Sequence, residues 1–240
     1  MRIPPVLVLA LLAAGGLSPA QDKTPTSGFV DLNYYPALTD VDQDTFLTVN
    51  ALVNFSPSLQ YYSFTNIADN ESRNPFARNN KYYTEQNLRW KINPDSPLDL
   101  TIQWNLRSGS ENDRLRLGFR WRLDDTPAWK DFFDSIHLAY FINFHAVQLD
   151  HEDPYVWQME HVIHMTFPYL TDRLYLAGFI DHTFNEDLPD GFPGAPIVLE
   201  MQAGYRLCSQ LYAVAEYRFN EYRRGEEDNL AIGLQYRYSW

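Results

Sequence analysis

The chain has 240 residues, a formal charge of −12 from 19 Lys and Arg against 31 Asp and Glu, 15% aromatic residues and one Cys. That balance excludes a nucleic-acid binder, whose affinity rests on neutralising phosphates, and the lone Cys208 excludes a disulfide-stapled module. Beyond the N-terminus no apolar stretch approaches the ~20 residues that a membrane helix needs, so any membrane crossing must be made by strands that close on themselves.

The first segment reads as a secretory signal. Arg2 gives a positive start, Val6 to Leu12 with Ala13-Ala14-Gly15-Gly16-Leu17 form a short apolar run, and Ser18-Pro19-Ala20 puts small residues at the −3 and −1 positions before Gln21-Asp22. The expected arrangement is a cleaved signal peptide, 1–20, and one mature domain, 21–240, with no Cys after the cleavage site to carry a lipid anchor. The signal holds one Arg and no acid, so its removal takes the charge from −12 to −13.

From there the pattern is period two. Twelve segments alternate: roughly 29–35, 45–55, 59–67, 82–92, 98–107, 114–123, 136–147, 155–167, 174–184, 197–207, 211–219 and 229–240. The fifth sets Leu98, Leu100, Ile102, Trp104 and Leu106 against Asp99, Thr101, Gln103, Asn105 and Arg107. The sixth sets Leu115, Leu117, Phe119, Trp121 and Leu123 against Arg114, Arg116, Gly118, Arg120 and Arg122. The twelfth sets Leu230, Ile232, Leu234, Tyr236, Tyr238 and Trp240 against Asn229, Ala231, Gly233, Gln235, Arg237 and Ser239. Such alternation is β. Its length suits a membrane barrel, with strands of about 9–11 residues, better than a soluble sandwich, with strands nearer 5–6. The third segment is the least regular, because Tyr61, Tyr62 and Phe64 blur its faces.

The connections alternate as well. Ser56-Pro57-Ser58, 93–97, 168–173 and Cys208-Ser209-Gln210 are short; 69–80, 185–196 and 220–228 are long and polar. With both termini in the periplasm, short turns fall there and long loops outside. One connection, 124–135, is long for its side. Its Pro127-Ala128-Trp129 and Asp131-Phe132-Phe133 predict a short amphipathic turn at the membrane interface. Trp90, Trp104, Trp121, Tyr155, Trp157, Tyr217, Tyr236, Tyr238 and Trp240 collect at strand ends, as aromatic girdles do. The fold expected is therefore all-β, a single antiparallel transmembrane barrel of about twelve strands in the outer membrane, in contact with its lipids and lipopolysaccharide.

Alternation also assigns the lumen. Arg114, Arg116, Arg120 and Arg122 point inward from the sixth strand; Glu160, Asp181 and Glu200 do so from the eighth, ninth and tenth, in the outer half. Glu216 and Arg218 join from the eleventh, Glu85, Arg89 and Lys91 from the fourth, and His145 from the seventh. Charges are prohibitive in lipid, so these groups face water or one another. They are either the walls of a solute channel or ion pairs that plug a closed barrel.

Enzyme motifs are weak. Glu160-His161-Val162-Ile163-His164 has metal-like spacing, yet on a strand His161 and His164 face opposite ways and cannot share a metal. His145 and Glu160 are possible cross-strand partners. Ser63, Ser135 and Ser209 are poorly placed as nucleophiles, and only His161 and His182 are outward His candidates for chemistry at the lipid boundary. Asp150-His151-Glu152-Asp153 reads as solvated charge, with a divalent-cation bridge to lipopolysaccharide as the alternative. No catalytic residue, metal site or cofactor is assigned.

The final strand, ending in Tyr236, Tyr238 and Trp240, resembles the C-terminal signature that bacterial outer-membrane proteins present to the barrel-assembly machinery. The twelve-strand count, with Tyr62-Ser63-Phe64-Thr65-Asn66-Ile67-Ala68-Asp69, the polar loop that follows and Leu88-Arg89-Trp90-Lys91-Ile92, is similar to the nucleoside-specific channel family of Gram-negative bacteria. That resemblance implies passive uptake of nucleosides or similar small polar solutes. The function expected is a non-enzymatic channel for small hydrophilic solutes. A closed structural or adhesive barrel and a lipid hydrolase are the alternatives.

Overall fold

The computed structural model describes residues 26–38, 45–68, 81–93, 95–109, 113–149, 153–223 and 225–240. The expected signal segment and the loop residues 69–80 and 150–152 lie outside them. Twelve strands form: β1 Ser27–Leu38, β2 Thr45–Ser56, β3 Leu59–Ala68, β4 Lys81–Lys91, β5 Leu98–Arg107, β6 Arg114–Arg122, β7 Leu138–Leu149, β8 Trp157–Thr166, β9 Leu174–Phe184, β10 Ile197–Arg206, β11 Leu211–Asn220 and β12 Asp228–Ser239. Each pairs antiparallel with its sequence neighbours, and β1 pairs with β12 to close the ring. At the seam the Gly28 N–H donates to the Trp240 carbonyl and the Trp240 N–H to the Gly28 carbonyl, both at 3.1 Å. Both described ends thus sit at the end of the barrel that carries the short turns.

The wall is apolar outside and polar inside. On β5, Leu100, Ile102 and Trp104 are 45%, 45% and 52% exposed, whereas Thr101, Gln103 and Asn105 between them are 2%, 1% and 1% exposed. A soluble sheet buries its apolar face; here that face is the outer surface, and closure leaves no unpaired edge.

Three details depart from simple alternation. The connection expected as an amphipathic turn contains a helix, α1, at Lys130–Ser135. Its Phe133 is buried against Tyr140, with ring centroids 6.0 Å apart, while Phe132 faces out at 59% exposure. β6 and β7 slip register between Leu117 and Phe119. Gly118 sits at that bulge, where a Cβ would lie 1.8 Å from the Phe144 carbonyl oxygen, so only glycine fits. In β3, the blurred faces resolve. Phe64 pairs with Asn50 and Glu85 on the inner side, whereas the Tyr61 hydroxyl donates to Gln86 on the outer wall.

Candidate functional site

The lumen gathers the charges that alternation assigned to it. Arg114, Arg116, Arg120, Arg122, Glu85, Arg89, Glu160, Asp181, Glu200, Glu216, Arg218 and His145 all occupy inward register positions. They do not form a single stripe.

At the short-turn end, Asp99 gathers two arginines. Arg120 Nε donates to Asp99 Oδ2 at 2.7 Å, and Arg122 reaches Asp99 Oδ1 at 2.5 Å. Arg122 also contacts Asp125 at 3.1 Å, with Lys91 3.6 Å from the same carboxylate. Arg120 and Arg89 both donate to Gln60 Oε1, at 2.8 and 3.3 Å. A cavity of about 220 Å³ opens here, lined by Arg89, Lys91, Arg120 and Arg122 against Asp99 and Asp125. Four cations face two anions, so this mouth is basic.

The other half holds the acids. Glu160 stands directly opposite Asp181 across the β8–β9 ladder, and Glu85 lies within electrostatic reach of both. Asn143 donates to Glu160, Asn87 to Glu85 at 2.9 Å, and the Tyr83 hydroxyl to Glu85 at 3.1 Å. Beside them Arg116 donates to Gln148 at 2.9 Å, to Gln103 at 3.1 Å and to Gln158. Arg114, towards the long loops, approaches Asp153 at 3.8 Å and Glu186 at 3.6 Å. His145 is fully buried, and its register partner is Gln158, not Glu160. The expected His145–Glu160 pair is therefore replaced by Asn143–Glu160, since β7 and β8 pair in an unbroken register that sets Asn143, two residues before His145, opposite Glu160. Neither His145 nitrogen has a hydrogen-bond partner among the described residues.

A third network joins β1 to β9–β12. The Tyr35 hydroxyl donates to Glu216 Oε2 at 2.6 Å, Arg218 Nε donates to Glu216 Oε1 at 2.6 Å, and the Arg218 guanidinium covers the Tyr35 ring at 4.6 Å. Gln202 donates to Tyr35 at 2.7 Å and to Asn33 at 3.2 Å. Tyr175 lies across Gly204, where a Cβ would meet its ring at 2.1 Å, and donates to Gln235 at 2.8 Å.

Between these networks the two walls touch. Phe64 of β3 stacks on Phe179 of β9 with centroids 6.2 Å apart and planes 30° apart, and Tyr83 packs on Phe64 at 5.5 Å. β3 and β9 are six places apart in a ring of twelve, hence diametrically opposed. Asp99, Tyr35, Phe64 and Phe179 were not assigned to the lumen site from sequence. Asp99 had a readable signal, being the inward carboxylate opposite Arg120; the Phe64–Phe179 contact spans the lumen and has no sequence signature.

On the outer wall, Tyr236, Tyr238 and Trp240 are all exposed; Tyr238 stacks on Trp240 at 6.1 Å, and the Tyr236 hydroxyl donates to Gln210 at 2.8 Å. His161 and His182 also face outward, whereas His164 faces the lumen and stacks on Tyr175 at 5.8 Å. Ser63, on β3, is in no strand adjoining either outward His.

A closed ring of twelve antiparallel strands, apolar outside and charged inside, is the architecture of a transmembrane β-barrel. No protein-family model and no curated protein matches the sequence. Among solved structures, the KdgM porin is similar over 88% of this chain and 98% of its own, with a TM-score of 0.48 and 14% identity. The KdgM porin in complex with disordered oligogalacturonate covers the same shares at 0.47 and 14%. Pseudomonas aeruginosa OccK11 matches over 88% of this chain and 63% of its own, at 0.38 and 13%.

Proposed function

We propose that this protein is an outer-membrane channel through which small hydrophilic solutes, nucleoside-like molecules among them, diffuse passively. The observation that carries the reading is the inner wall, which is lined from one mouth to the other by charged and amide side chains inside an apolar exterior. Ion pairing alone would not require that cations outnumber carboxylates at one mouth and carboxylates gather towards the other. A passing solute meets both, and such walls set ion preference because desolvation and Coulomb terms act at short range. Contacts with outer-membrane lipids and lipopolysaccharide, and handling by the barrel-assembly machinery, belong to the same proposal.

A second reading, a closed barrel that acts through its outer loops, is favoured by the Phe64–Phe179 contact across the lumen. Reversal potentials across a salt gradient separate the two. Replacing Arg116 and Arg120 with Ala should move selectivity towards cations, and replacing Glu160 and Asp181 with Ala should move it towards anions. Both shifts should weaken as salt rises. Unchanged reversal potentials with conductance intact would take these side chains out of the permeation path.

A further inference from the structure

One cavity lies in the lipid-facing wall and not in the lumen. It is a cleft of about 260 Å³ lined by Tyr140, His161, Ile163, Phe179, Ile180, His182 and Met201. Apart from Phe179, whose ring turns to the lumen, these residues hold outward register positions on β7 to β10. On this face Gly178 occupies the register position between Ile163 on one side and Met201 on the other. A Cβ there would lie 2.1 Å from the Glu200 carbonyl oxygen, so no side chain can fill the gap.

The cleft carries hydrogen-bonding groups where the wall is otherwise apolar. The Tyr140 hydroxyl lies 2.7 Å from His161 Nδ1. His161 is the partner of this phenol; in the tautomer whose Nδ1 accepts the phenolic hydrogen, the ring hydrogen is on Nε2 and free to donate to the cleft. His182 stands beside it, the two rings 6.4 Å apart at 78°. Ionisable groups turned towards lipid are costly and ordinarily mark a site with a partner.

Depth selects that partner. The Trp157 and Phe184 rings stack at 3.9 Å at the long-loop ends of β8 and β9, where an aromatic girdle belongs. His182 is two residues below Phe184 and His161 four below Trp157. With strands rising about 3.3 Å per residue and tilted about 40°, the imidazoles lie about 5 and 10 Å beneath the girdle. That is the level of acyl ester carbonyls and the first methylenes of a lipid.

We propose that this cleft binds one membrane lipid through its ester linkage: the His161 and His182 N–H groups donate to acyl ester carbonyls, while the first methylenes of the chain rest on Ile163, Ile180 and Met201 over Gly178. The inference rests on the barrel standing in a membrane and not on its lumen conducting.

The test is native mass spectrometry of the intact barrel, reconstituted with dioleoyl phosphatidylethanolamine or with its dialkyl ether analogue and released into mild detergent. The ester lipid should remain as a single adduct, and the ether analogue, identical in headgroup, should be retained roughly fivefold less, the range expected for one intramembrane hydrogen bond. Replacing His161 and His182 together with Phe should reduce the ester adduct to the ether level, with heat-modifiable migration showing that the barrel is intact. Equal retention of the two lipids by the unaltered chain would overturn the proposal, and so would undiminished ester binding by the folded double variant.

Discussion

Asp99, 2% exposed, accepts from Arg120 and Arg122, so one buried carboxylate neutralises parts of two guanidinium groups. Replacing Asp99 with Asn leaves Arg120 confined without its anion and Arg122 with only the exposed Asp125, and breaking such a buried pair costs about 3–5 kcal/mol. Urea-induced unfolding in lipid bilayers should register a loss in that range; a change below about 1 kcal/mol would show that water already screens the cluster. Asp124, in the turn after β6, is the opposite case. Its Oδ1 is enclosed with no partner among the described residues, and burial, with Asp125 adding repulsion, raises its carboxyl above the usual range. A raised folded-state pKa means that the group favours the fold only while protonated, and that this contribution is lost as pH rises through the folded value. Asp124→Asn should therefore raise the melting temperature at neutral pH. The gain should vanish as the pH approaches 4, roughly the unfolded carboxyl value. A gain that persists in acid would assign the effect to something other than this charge.

At the scale of elements, β5, β6 and β12 were legible residue by residue, because lipid outside and polar groups inside enforce strict alternation. β3 was not. Its lumen side carries Tyr62 and Phe64, which meet other aromatics, and its outer side carries Tyr61 and Ser63, so polarity no longer reports the face. The helix α1 escaped because six residues are too few for a 3.6 period to declare itself. The partner of Glu160 was missed because alternation alone does not fix the β7–β8 register, which sets Asn143 and not His145 opposite it; Gly118 inside a strand was the available clue to the β6–β7 bulge. The lumen charges were readable from alternation, but not the Tyr35–Glu216–Arg218 network, since contacts between non-adjacent strands depend on how the ring closes. Strand β12 also carries an assembly prediction. Trp240 ends the seam strand with its ring exposed beside Tyr238. Replacing it with Lys should lower the amount of barrel recovered from outer membranes while export continues, as read by heat-modifiable migration in fractionated cells. Normal recovery would make the terminal aromatic incidental.

At the scale of the whole molecule, the barrel is a ring whose two opposed walls meet at Phe64 and Phe179, with polar networks on either side of the contact. The lumen is therefore narrow at that contact, and under the proposed channel function a crossing solute would pass beside it and along the arginines and carboxylates that flank it. Twelve strands lie between the side-chain-filled eight-stranded barrel and the water-filled sixteen-stranded porin, which fits a small, discriminating pore. The most direct measurement is single-channel conductance of the refolded protein in a planar bilayer, taken with and without Phe64→Ala and Phe179→Ala together. The account predicts discrete small openings for the unaltered chain and larger ones when the two rings are removed. Protein that is inserted and folded yet passes no current in either form would contradict it.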